Sequence, residues 1–137
     1  MTRILPLLLS LGFASLAFAQ PASPLDGQWR GTSDGGSCNA PLDYVLTIES
    51  SIVDGSAFDT TAKGPQPNLR KAPPPQAGPG LWQVYGVAKG NSFSLTAVAS
   101  VQGAPRRSSK LAVVAQGNTI TVTESGGCGR TARLNRG

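Results

Sequence analysis

Apolar and polar residues alternate with a period of two along most of this chain. Phe93, Leu95, Ala97, Ala99 and Val101 fall on one face of a strand, and Ser92, Ser94, Thr96 and Ser100 on the other. That is the pattern of a half-buried strand with one wet face. Ile120 and Val122 alternate in the same way with Thr119, Thr121 and Thr123. Leu42, Tyr44, Leu46 and Ile48 alternate with Asp43, Thr47 and Glu49, and Val45 breaks the polar face only mildly. No segment repeats at the helical period, so β structure is expected throughout.

Turn chemistry divides these runs at regular intervals. Asp54-Gly55, Lys89-Gly90-Asn91, Gln102-Gly103, Gly117-Asn118 and Gly126-Gly127 each offer residues that accept positive φ or tight turns. About eight strands are predicted, near 27–32, 42–50, 52–53 continuing into 56–60, 81–87, 92–100, 107–115, 119–124 and 129–135. Short loops make most neighbours antiparallel hairpins. An open meander would leave sticky edges, so the expected fold is all-β, a small antiparallel up-and-down β-barrel or a barrel-like sandwich.

One stretch departs from the pattern. Residues 61–80 hold six prolines, which excludes a central strand or a helix and makes this a long surface loop. Pro73 to Pro75 would stiffen it toward polyproline II, and Arg70 and Lys71 give it positive charge suited to an acidic partner. A tolerated insertion is the plainer reading and the preferred one.

The start of the chain reads as an export signal. Met1 to Arg3 is positive, Ile4 to Phe18 is apolar, and Ala17-Phe18-Ala19 is a small-residue cleavage site. Residues 1–19 are therefore expected to be a signal peptide, and residues 20–137 a single β domain of a periplasmic or secreted protein. Gln20 to Pro24 would form a loose leader. In that oxidising setting Cys38 and Cys128, the only cysteines, are expected to pair. Closing a loop of about 90 residues stabilises by about 4 to 5 kcal/mol on the chain-entropy model. The bond would make the first and last strands neighbours and favour closure.

Composition then excludes much chemistry. There is no histidine, which removes the Ser-His and Cys-His nucleophile pairs and most zinc sites. Ser108, Ser109 and Lys110 are adjacent, but successive strand residues point to opposite faces. Asp26, Asp34, Asp43, Glu49, Asp54, Asp59 and Glu124 are scattered, with no evident pair for hydrolysis. Glu124 continues the apolar face of Ile120 and Val122. It is either a buried acid paired with Arg30, Arg130 or Arg133, or the residue at which the strand leaves the core. The second is preferred because buried acids are rare.

A net charge of +5, spread along the chain, falls short of a nucleic-acid footprint. Arg106, Arg107 and Lys110 form the densest basic cluster. They suit an anionic surface, although a solvated strand start guarding a sheet edge is the stronger reading. No enzyme activity, cofactor, metal, nucleic acid or membrane span is expected. The expected function is binding, of a small apolar ligand in space left by Ala97 and Ala99 or of an envelope protein. The alternative is a protein-interaction or protease-inhibitor-like module.

Asp26-Gly27-Gln28-Trp29-Arg30-Gly31 resembles the opening of lipocalins and other calycins. That resemblance implies a tryptophan closing one barrel end beneath an arginine of the last strand, here Trp29 beneath Arg130 or Arg133. The layout also resembles small secreted bacterial inhibitors of metalloproteases. More closely, the Gly-x-Trp-x-Gly start, Cys38, and Gly127-Cys128-Gly129-Arg130 with Arg133 and Arg136 resemble small, uncharacterised exported proteins of Gram-negative bacteria.

Overall fold

Residues 24–62, 67–70, 78–99 and 105–137 are described by a computed structural model. Its strands are β1 (Gly27–Thr32), β2 (Leu42–Glu49), β3 (Ile52–Asp59), β4 (Leu81–Val87), β5 (Ser92–Ala99), β6 (Arg107–Gln116), β7 (Thr119–Glu124) and β8 (Thr131–Arg136). Each strand pairs antiparallel with the next, and β8 returns to β1 to close the barrel. The seam runs through Trp29 opposite Arg136 and Arg30 opposite Asn135. The expected signal peptide, residues 20–23, Lys71, the triple proline and the Gln102-Gly103 turn lie outside the described residues.

Alternation sets which side chains fill the interior. Leu42, Tyr44, Leu46 and Ile48 of β2 are all buried, as are Leu111, Val113 and Ala115 of β6 and Ile120 and Val122 of β7. A one-residue slip would turn each set out to water, so the buried face holds the register. Among the described residues the core is continuous from Leu25 and Trp29 to Tyr44 and Ala57. Full burial of a side chain such as Leu46 contributes about 1.5 to 3 kcal/mol.

The expected turn at Asp54-Gly55 is corrected by the structure. Both residues lie inside β3, with Gly55 paired to Leu46 on one side and Val84 on the other. A Cβ at Gly55 would stand 2.4 Å from the Val45 carbonyl oxygen and 2.7 Å from Leu46 Cδ2. Glycine is used here for close approach of two strands, not for a turn. The chain reverses instead at Ser50 and Ser51, which carry φ of 49° and 70° in a two-residue connection between Glu49 and Ile52.

The connections divide by length. Those at one end of the barrel are short: 50–51, 88–91 and 117–118. Those at the other end are 33–41, 60–80, 100–106 and 125–130, and three of the four are long. The 33–41 connection carries a single 3-10 turn, Gly36–Cys38, bonded through Cys38 to Cys128 with a Cα–Cα distance of 5.3 Å. Gly36 has φ of 57°, and a Cβ there would lie 2.1 Å from the Cys128 carbonyl oxygen. That contact makes glycine obligatory where the bridged segments cross. Ser37 N–H donates to the same carbonyl at 2.8 Å, and Asp34 Oδ1 accepts from Thr131 N–H at 3.2 Å. Among the described residues no helix is long and apolar enough to cross a membrane.

Candidate functional site: the open end of the barrel

The end with short turns is sealed by one tryptophan. Trp29 is 0 % exposed, and its indole N–H donates to the Leu25 carbonyl at 2.8 Å. The Arg136 guanidinium lies over the ring, 4.5 Å from its centroid, and donates to the carbonyls of Pro24 and Asp26. Trp29 therefore does pack beneath an arginine of the last strand. That arginine is Arg136, not Arg130 or Arg133, because β1 pairs through Trp29 with Arg136 and so faces the end of β8 rather than its start. Arg133 is exposed, opposite Thr121, and Arg130 lies at the far end.

At that far end the barrel opens into a cavity of about 590 Å³. Trp82 lies at the start of β4, Arg107 and Ser109 at the start of β6, Asp59 ends β3, and Glu124 ends β7, so four strand tips converge on it. Ala40, Arg130 and the Cys38–Cys128 bond complete one side.

Glu124 is the main correction at this end. It does not leave the core: its side chain stays inward and only 7 % of the residue is exposed. Its Oε1 accepts from Arg130 Nε at 2.7 Å, and Arg130 itself is 6 % exposed. Arg130 Nη1 also donates to the Ala40 carbonyl at 3.0 Å. A buried charge is tolerated when it is paired and hydrogen-bonded, and here the β7–β8 turn supplies the partner. Tyr44 packs below this pair. Burial pushes its phenol pKa well above the usual range, the Glu124 charge pushes the same way, and Arg130 opposes them. The phenol stays neutral and can donate a hydrogen bond, but it cannot serve as an anionic base.

The basic cluster divides between the two surfaces of β6. Arg107 stacks over Trp82, 5.2 Å from the ring centroid, at the cavity. Lys110 reaches out to Thr96 Oγ1 at 3.1 Å, while Ser109 points inward, so no serine-lysine pair forms. Arg106 is exposed beside them. Because β6 lies between β5 and β7 in a closed barrel, its charges do not guard a sheet edge, contrary to the expectation from the sequence.

Ala97 and Ala99 do face inward and are buried. Arg70 lies elsewhere, in a cleft of about 430 Å³ where Pro67 to Arg70 cross the outer face near Val45 and Phe58. Among the described residues no three His, Cys, Asp or Glu side chains group as metal ligands.

Sequence reasoning missed Trp82 and Asp59 as cavity residues, and Arg136 as the seal. The inward alternation of Trp82 with Val84 was visible, but which strand tips share an end follows only from the pairing. No protein family, curated protein or solved structure matches this chain.

Proposed function

We propose that this chain is an exported, non-enzymatic binding protein whose seat for a small ligand is the open end of the barrel. The carrying observation is the contrast between ends: Trp29 and Arg136 plug one, while the other holds a cavity of about 590 Å³ lined by Trp82, Arg107, Ser109 and the Glu124–Arg130 pair. A volume of that size falls in the range of about 300 to 1,000 Å³ typical of small-molecule sites. The Cys38–Cys128 bond fits an oxidising compartment, which supports the export reading. The longer connections leave the strands at this end, and binding residues commonly sit on loops held by a rigid scaffold.

Native mass spectrometry of the protein purified without denaturation tests this reading. The expected spectrum contains a bound small molecule that is lost on unfolding. A Ser109→Phe variant, which fills the cavity while keeping the seal, should purify without it. A wild-type protein that carries nothing and binds no member of a small-molecule library would end the proposal.

A second reading rests on a separate observation. Pro67 to Arg70 form clefts with the outer face of β1 to β3, and Arg70 is exposed there, which favours a protein-interaction or inhibitor-like role. Partners captured equally by wild type and Arg70→Glu would count against it.

A further inference from the structure

Resting on the ligand-binding reading of the open end, we infer that the ligand is a small organic acid with an aromatic or apolar body, its carboxylate held by Arg107. Two cations, Arg107 and Arg130, face the cavity beside two acids, Asp59 and Glu124, while the Lys110 ammonium is turned out to Thr96. Both acids are already engaged: Glu124 accepts from Arg130, and Asp59 Oδ1 accepts from the N–H and hydroxyl of Thr61 at 2.8 and 2.6 Å. Among the described residues the Arg107 guanidinium meets no carboxylate and lies over the face of Trp82. A guanidinium carries five N–H donors in a planar fork that matches a carboxylate. Stacking on a ring holds that plane without consuming the donors.

Arg130 adds to the same bias. Two of its donors are used, one to Glu124 and one to the Ala40 carbonyl, and the cavity wall that it forms is therefore neutral or positive, never negative. A cationic ligand would meet Arg107, and Asp59, tied to Thr61 through Oδ1, is the one cavity acid without a cationic partner among the described residues. A neutral apolar ligand would leave a fork of donors to be desolvated without an acceptor, which is costly. The Trp82 ring supplies the complementary apolar surface, since offset ring pairs gain about 0.5 to 1.5 kcal/mol beyond area burial. Ala40, Gly80 and Ser109 keep the space beside it small-walled and open. The expectation of a purely apolar ligand is thereby narrowed to one with an acid at its end.

The test is a fluorescence titration of the full chain with naphthoate, its methyl ester and naphthylmethylamine, with Trp82→Phe locating the signal. Naphthoate should bind about tenfold tighter than the ester, the scale of a hydrogen bond to a charged group. Arg107→Gln should bring the two within about threefold, Arg107→Lys should keep part of the preference, and Arg107→Glu should turn it toward the amine. Near-ultraviolet circular dichroism of each variant establishes that the barrel is intact. Tighter binding of the ester or amine at Trp82, or an unchanged preference in Arg107→Gln, overturns the acid assignment while leaving the seat itself standing. If none of the three binds, the acid assignment fails. If native mass spectrometry of the wild type is also empty, the binding reading fails with it.

Discussion

The two ends of this barrel are built from the same eight strands and differ in what their inward residues do. At the sealed end Trp29 is wholly buried, its N–H is satisfied by Leu25, and Arg136 covers its face. At the open end Trp82 is only half-buried, and Arg107 covers it without closing the space beside it. A tryptophan under an arginine is thus a plug in one place and part of a wall in the other. The difference lies in the neighbours: a short connection and an apolar floor below Trp29, long connections and a buried ion pair near Trp82.

Truncating each tryptophan separates these roles most sharply. Trp29→Ala should cost about 3 to 5 kcal/mol in urea unfolding, as for other fully buried aromatics, whereas Trp82→Ala should cost less than half as much. Equal losses would mean that the ends are not functionally distinct. The next largest effect belongs to the ion pair. Glu124→Ala strands a buried guanidinium and should destabilise by about 3 kcal/mol, whereas Glu124→Leu with Arg130→Met should come close to neutral. A double variant as unstable as the single one would show that the pair holds the open end in shape.

The sealed end offers a change of opposite sign. Ser50 and Ser51 both occupy the left-handed region, which non-glycine residues enter at some cost. Ser50→Asn with Ser51→Gly suits such a two-residue turn and should raise the unfolding free energy by about 1 to 2 kcal/mol, with ligand affinity unchanged. The smallest effect is a pH dependence at the open end. The Tyr44 phenol has a raised pKa when folded, so its contribution is complete below the unfolded value of about 10 and is lost as pH rises above it. Urea midpoints of the wild type should fall more steeply above that pH than those of Tyr44→Phe.

Much of the fold was legible because a period of two, read between turn residues, marks both the strands and their inward faces. Seven of the strand positions follow from runs such as Ile120-Thr121-Val122-Thr123 or Phe93 to Ala99. The reversal between β2 and β3 was not, because Ser50-Ser51 has no turn signature and Asp54-Gly55 has a strong one. Only the pairing shows that Gly55 is needed for the Val45 backbone. The disulfide followed from count and compartment. Glu124 was misjudged because rarity argued against a buried acid, and its partner Arg130 lies across a turn whose geometry the sequence does not state. The arginine over Trp29 was placed on the right strand and at the wrong residue, since the register of the β1–β8 seam depends on closing the whole circle.

That seam also governs how the chain reaches its fold. Asp26 and Arg136, joined across it, are 110 positions apart, so in a reduced chain their meeting is a long-range search. The Cys38–Cys128 cross-link leaves only short stretches of chain on either side and turns the same step into a local one. Loop-closure entropy scales slowly with length, and this shortening is worth about 1.5 kcal/mol. The oxidised chain should refold about tenfold faster than the reduced one, with the last strand docking against the first as an early event.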